Sequence, residues 1–275
     1  MRFLKPLSPL EIPEKPTEGP PDRSEPYMGI YKPTGPGPFP AVVLQHTCGG
    51  VQEHIGDWTK QFHGAGYVVL VLDSLTQRNV SNNCTIPVPV PTLNGTLDAY
   101  QALEHLVKQP YVDKNRIGML GLSWGGMNAL LVARKDIAEA LPRSSKELRF
   151  RAVASVYPHC FMPQLRTPRG PLDIEYLSVD ATDRPLLVLM GEQDEETPPK
   201  FCLPRLEALK AKGAKVAWHV FPQTTHAWDN RLASGRVRRT VFGGSHRYEF
   251  NAAATQESYK RALDFFGQEM GASRP

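Results

Sequence analysis

Residues 116–127 read Arg116-Ile117-Gly118-Met119-Leu120-Gly121-Leu122-Ser123-Trp124-Gly125-Gly126-Met127. The run over 116–120 is short, apolar and bounded by turn residues, which predicts a buried strand. The spacing from Met127 predicts a helix over 127–138. Between them lies G-x-S-x-G, from Gly121 to Gly125. A strand, this pentapeptide and then a helix is the setting of a nucleophile elbow, a sharp turn that lifts a serine out of the backbone. Such a turn brings residues two positions either side of the serine into collision, and glycine at 121 and 125 removes the offending side chains. The helix amino terminus then faces Ser123 and favours negative charge developing there.

The same alternation extends in both directions. Apolar runs at 41–45, 67–72, 152–156, 185–190 and 215–221 predict further strands, and 58–65, 96–108, 203–212 and 252–268 predict helices. Continuous apolar strands separated by amphipathic helices indicate an α/β chain with a mostly parallel sheet covered on both faces. No linker or internal repeat interrupts the pattern, so 27–275 reads as one domain behind a Pro-rich amino-terminal arm over 1–26. Long breaks fall at 73–95, 157–184 and 227–250, each after a strand end, where sheets of this type carry their function. Proline makes up 26 of the 275 residues, against a usual share of about 5%, and many of these prolines lie in the arm and the breaks.

Composition narrows the function. A hydrophobic share of 41% supports a core and excludes whole-chain disorder. A net charge of +4 is too small to indicate nucleic acid. No apolar run reaches the ~18–20 residues of a membrane helix. No Cys/His/Glu spacing suggests a metal, and no cofactor is called for.

A serine hydroxyl needs a base to take its proton, and the base needs an acid to orient it. His226, in Thr224-Thr225-His226-Ala227-Trp228-Asp229, follows the strand over 215–221. Asp194, in Gly191-Glu192-Gln193-Asp194, follows the strand over 185–190, with Glu192, Glu195 and Glu196 as rival acids. The order Ser123, Asp194, His226 is that of α/β-hydrolases. Two backbone N–H groups are needed to hold an oxyanion. Trp124, directly after the serine, and Cys48, in the turn His46-Thr47-Cys48-Gly49-Gly50, stand where those donors belong. His54, His63, His105 and His219 read as packing or surface residues, while His159 and His246 lie in the breaks within reach of a substrate.

The segments PAVVLQHTCGG, GYVVLVLDS, DAYQALEHL, PYVDKNRIGMLGLSWGGMNAL, PLLVLMGEQDEETPP and HAWD together resemble the dienelactone hydrolase family. The resemblance runs from about Pro40 to the last helix. It implies an α/β-hydrolase fold, hydrolysis of an ester or lactone, and Ser123, Asp194 and His226 as nucleophile, acid and base. The best-known members use a cysteine nucleophile, so the serine here favours a general carboxylesterase. Relatives often have glycine where this chain has Thr47. In this fold Cys48 and Cys84 share one rim of the sheet, as do Cys160 and Cys202. Two disulfides, Cys48–Cys84 and Cys160–Cys202, stand beside the alternative of four reduced thiols. With disulfides the compartment is periplasmic or extracellular, and without them cytoplasmic by default.

The expected partner is a small-molecule ester. Thr47, Arg78, Tyr157, Phe161 and Trp228 are the candidate substrate contacts, with Met162 and Trp124 completing an aromatic or apolar acyl pocket. Arg231, Arg236, Arg238, Arg239 and Arg247 crowd the break after the base, where one guanidinium could pair with a substrate carboxylate. An amidase or peptidase of the same fold is the runner-up. A non-catalytic binding protein on this scaffold is the other alternative.

Overall fold

The computed structural model describes residues 7–20, 28–85, 87–167, 170–240 and 244–271. From the amino end come β1 (Thr17–Glu18), β2 (Gly29–Lys32), β3 (Phe39–Gln45), α1 (Glu53–Gly64) and β4 (Val68–Leu72). Next are α2 (Thr92–Leu106), β5 (Val112–Leu122), α3 (Trp124–Val132), α4 (Lys135–Ala140) and β6 (Val153–Val156). A hairpin of β7 (Phe161–Thr167) and β8 (Gly170–Glu175) precedes β9 (Leu186–Gly191), α5 (Leu203–Ala211) and β10 (Val216–Phe221). A second hairpin, β11 (Val237–Arg239) and β12 (Ser245–Arg247), leads to α6 (Ala252–Met270).

Eight strands form one sheet in the order β1-β2-β4-β3-β5-β6-β9-β10. Every pairing is parallel except β2 with β4. Parallel strands covered on both faces bury every side chain, which is why β3, β4 and β9 read as unbroken apolar runs. Val43, Leu70, Met119 and Val188 pack on one face against Leu103 of α2, Leu130 of α3 and Leu206 of α5. Their neighbours Val42, Val69, Leu120 and Leu189 pack on the other against Trp58 and Phe62 of α1 and Phe266 of α6. The register places Gln45 beside Leu72 and Gly121, Leu122 beside Val156, and Phe221 beside Gly191. The carboxyl ends of the strands thus share one rim.

The expected helix over 127–138 is two helices, α3 and α4. Arg134 between them is extended (φ −92°, ψ 131°). It bridges to Thr182 and donates to the Glu175 carbonyl at 2.6 Å, while Lys135 N–H donates to the Ala181 carbonyl at 2.8 Å. Hydrogen bonds to the 175–183 segment replace those a continuous helix would make.

Of the arm anticipated over 1–26, residues 1–6 and 21–26 lie outside the described residues. Leu10 is buried in the core and exchanges two hydrogen bonds with the Gln101 amide (3.0 and 2.5 Å). Thr17 and Glu18 pair with β2. Residues 10–18 are therefore fastened to the sheet and α2. No helix among the described residues is long and apolar enough to cross a membrane. Also among them, no group of three or more His, Cys, Asp or Glu is arranged to hold a metal ion.

Candidate active site

Ser123 sits between β5 and α3 at φ 52° and ψ −110°, a conformation an L-residue rarely adopts. The surrounding backbone imposes it. Ser123 N–H donates to the Val156 carbonyl at 2.9 Å, and Gly125 N–H donates to the His46 carbonyl at 3.2 Å. A Cβ on Gly121 would stand 2.0 Å from the Gly125 carbonyl oxygen. One on Gly125 would stand 2.5 Å from the Gln45 carbonyl oxygen. The two outer glycines of the pentapeptide are demanded by close backbone approach.

Ser123 Oγ lies 3.0 Å from His226 Nε2, and His226 Nδ1 lies 2.7 Å from Asp194 Oδ2. A carboxylate only accepts, so the ring proton sits on Nδ1 and Nε2 faces the hydroxyl as acceptor. All three side chains are buried. Asp194 also accepts the backbone N–H groups of Glu196 (2.9 Å) and Thr197 (2.7 Å) and the Thr197 hydroxyl (2.7 Å). Burial opposes ionisation of Asp194, but the facing His226 and these hydrogen bonds hold its carboxyl below the usual range. For His226 burial opposes protonation, yet the charges of Asp194 and Glu196 outweigh it and lift the imidazole to about 8.

Of the rival acids, Glu192 accepts the Gln223 N–H at 2.9 Å and does not reach the imidazole. Glu196 is bound by the Tyr248 hydroxyl and by Arg238 at 3.3 Å. The β11–β12 hairpin and the residue after it supply both partners, and His246 as well. His246 Nε2 accepts the backbone N–H of His226 at 3.1 Å, and its Nδ1 stands 3.3 Å from the backbone nitrogen of Glu195. His246 thus lies behind the base rather than against a substrate. The roles of Thr197, Tyr248 and His246 carry no sequence signal, because each depends on which loops the rim brings together.

A cavity of about 350 Å³ opens on Ser123 and His226. Thr47, Cys48 and Cys84 line one side of it, and Glu196, Arg236, Arg238 and Tyr248 another. A larger hollow of about 750 Å³ beside Glu192 and Lys200 reaches neither Ser123 nor His226. Cys48 lies on the cavity wall, and Trp124 opens α3. As the first residue of a helix, Trp124 has an N–H with no intrahelical acceptor.

The aromatic pocket expected from the sequence is not what lines this cavity. Trp228 is fully buried, with its Nε1 donating to Ser258 Oγ at 3.0 Å. Tyr157 packs edge-on against His226 (4.8 Å between ring centres), and its hydroxyl donates to Asp229 Oδ1 at 2.8 Å. The Trp124 ring stacks on His46 in a small cluster with Leu75 and Val90. Phe161 lies under the Arg205 guanidinium, 4.1 Å from it. Tyr157, Trp124 and Trp228 are buried, which takes their rings out of water, while Phe161 stays partly exposed under its cation.

Arg78 is likewise engaged. Its two terminal nitrogens grip Asp98 at 2.6 and 2.8 Å, with both side chains nearly buried. Arg78→Ala is expected to cost about 3 kcal/mol of stability by leaving Asp98 buried without its partner, with KM for an anionic ester unmoved. A denaturant titration and KM check this. A raised KM at an unchanged midpoint would make Arg78 a substrate contact. Of the arginines after the base, Arg231 pairs with Asp57 at 3.3 Å and Arg247 with Glu249 at 2.5 Å.

Cys48–Cys84 and Cys160–Cys202 are both disulfides. The first lies on the cavity wall and the second is buried in the core.

The dienelactone hydrolase family model matches residues 28–270. An Escherichia coli K12 protein assigned as a carboxymethylenebutenolidase is 26% identical over 244 residues, covering 86% of this chain and 79% of its own. The propionate-bound thermophilic esterase Est2 of Thermogutta terrifontis superposes with a TM-score of 0.64 at 17% identity, covering 90% of this chain and 91% of that one. MGS-M1, an α/β-hydrolase from a Medee basin deep-sea metagenome, superposes with a TM-score of 0.57 at 16% identity, covering 84% and 85%. The two superpositions show the fold, α/β-hydrolase, and the match over 28–270 shows that the chain belongs to the dienelactone hydrolase family.

Proposed function

We propose that this protein hydrolyses carboxylic esters or lactones through an acyl-enzyme on Ser123. The observation that carries the reading is the hydrogen-bonded line from Ser123 through His226 to Asp194, with the serine held at a strained elbow. Membership of the family supports it. So do the assignment of the Escherichia coli relative as a carboxymethylenebutenolidase and the description of the Thermogutta protein as an esterase.

In this reading Ser123 Oγ attacks the ester carbonyl while His226 Nε2 takes its proton. Asp194 keeps the ring in the needed tautomer and stabilises the imidazolium that forms. The backbone N–H groups of Trp124 and Cys48 hold the carbonyl oxygen as it becomes an oxyanion. The imidazolium returns its proton to the departing alkoxide. Water, deprotonated by the same imidazole, then releases the acid. The two disulfides support action in an oxidising compartment, periplasmic or extracellular.

The test is the pH dependence of kcat/KM for a p-nitrophenyl ester. Only the neutral imidazole can accept the serine proton, and His226 is lifted to about 8. The rate is therefore expected to climb about tenfold per pH unit on the acid side and to level off above pH 8. A profile flat from pH 5 to 9 would remove His226 as the base.

A further inference from the structure

The disulfide on the cavity wall joins two segments that meet at one residue of the proposed site. β3 ends at Gln45, and the chain turns back within four residues. Gly50 N–H donates to the Thr47 carbonyl at 3.1 Å, and Gly49 N–H donates to Thr47 Oγ1 at 3.2 Å. Cys48 lies inside this turn. Outside it, the loop after β4 holds Cys48 twice: Asn83 N–H donates to its carbonyl at 2.9 Å, and Cys84 bonds its sulfur.

That loop is itself anchored. The buried Asn83 side chain accepts from Val90 N–H at 2.7 Å and donates to the Val90 carbonyl at 3.0 Å. Arg238 reaches across from β11 to the Cys84 carbonyl and to Glu196. Cys84 therefore ties the turn carrying Cys48 to a braced loop and, through Arg238, to the segment that carries Asp194.

We propose that Cys84, through its disulfide with Cys48, is the positioning residue for the Cys48 amide, and that opening this bond with a dithiol slows acyl transfer in a protein that stays folded. The inference rests on the esterase reading above, in which the Cys48 N–H faces the oxyanion. An oxyanion donor acts only if it is aimed before the charge develops. Once the bond opens, what remains on Cys48 is one backbone hydrogen bond, the turn itself and the Arg238 guanidinium, 3.9 Å from its sulfur.

The chemistry balances as thiol–disulfide exchange. A dithiol thiolate attacks one sulfur of the pair and forms a mixed disulfide, releasing the other as thiolate. The second dithiol sulfur closes on the first, giving a cyclic disulfide and two cysteine thiols. The protein bond gains two electrons and two protons, and the dithiol loses them. Access makes the reaction selective: Cys48 and Cys84 are partly exposed on the cavity wall, whereas Cys160 and Cys202 are fully buried.

The experiment treats the oxidised full chain with graded dithiothreitol and traps thiols by alkylation in one aliquot, leaving a second aliquot unalkylated for kinetics, dichroism and reoxidation. It then reads modified positions by mass spectrometry, kcat and KM on p-nitrophenyl acetate, the pH profile, and far-ultraviolet circular dichroism. Removing an oxyanion donor outright costs about 10²–10³-fold in kcat, so loosening one is expected to cost about 10–100-fold. Alkylation is expected at Cys48 and Cys84 first. KM should stay within about twofold, the inflection near pH 8 should not move, and reoxidation should restore kcat. Cys84→Ser should show the same low kcat and no response to dithiothreitol. If that variant does not fold, the titration of the native chain decides alone.

An unchanged kcat in the unalkylated aliquot, when its twin shows Cys48 and Cys84 reduced, overturns the proposal, as does a kcat that falls only together with the dichroism signal. An oxidised chain inert to every ester overturns the esterase reading and this one with it.

Discussion

Ser123→Ala is expected to lower kcat for a p-nitrophenyl ester by about 10⁶-fold, with the melting temperature nearly unchanged. In the proposed mechanism the hydroxyl is the atom that forms the acyl bond. The two cysteines on the cavity wall, Cys48 and Cys84, are locked in a disulfide. Alanine keeps the backbone contacts that shape the elbow, since Ser123 N–H and its carbonyl make the bonds to Val156 and Met127. Losses in such a unit are not additive, so adding His226→Ala to Ser123→Ala should change little further. Steady-state kinetics with a fluorophosphonate label as site titrant would check both. A Ser123→Ala protein keeping more than 1% of kcat would remove the serine from its proposed role.

Gly121→Ala is expected to destabilise the fold by about 4 kcal/mol or more, lowering the melting temperature by roughly 10 °C, and to abolish activity. The added methyl would meet the Gly125 carbonyl oxygen at 2.0 Å and its carbon at 2.3 Å. Both are backbone atoms, so no rotamer relieves the contact, and either β5 or the start of α3 must move. Gly213→Ala is the control. It has positive φ, at 79°, which Gly121 does not, and open space around it, so backbone conformation alone should cost it about 1–2 kcal/mol. Differential scanning calorimetry of the two variants separates crowding from strain. Equal losses would show that the close approach at the elbow is not what matters.

The sheet and the line of Ser123, Asp194 and His226 were legible because local rules govern both. Buried parallel strands need apolar side chains on both faces, so β3, β4 and β9 announce themselves. The site residues follow strand ends, which the parallel topology gathers on one rim. Sequence periodicity failed where distant segments compete for the backbone, as at Arg134, where the 175–183 segment breaks an otherwise helical stretch. It failed again for side-chain facing. Tyr157, Trp228 and Phe161 lie in the breaks where a substrate was expected. Nothing local could show that Asp229 and Ser258 hold Tyr157 and Trp228 in the core, or that Arg205 covers Phe161. In the cavity wall Glu196 lies 42 positions from Arg238 and 52 from Tyr248, and no short window of sequence holds all three.

The β11–β12 hairpin has two tasks that cannot be divided. Arg238 and, just past the hairpin, Tyr248 wall the cavity, and the same segment supplies His246 to the backbone of the base and the partners of the carboxylate that raises its affinity for a proton. A lineage that exchanges this segment to admit a new ester also inherits a new setting for the imidazole. On the proposed function, exchanging this segment therefore alters the cavity wall and the proton affinity of the imidazole together.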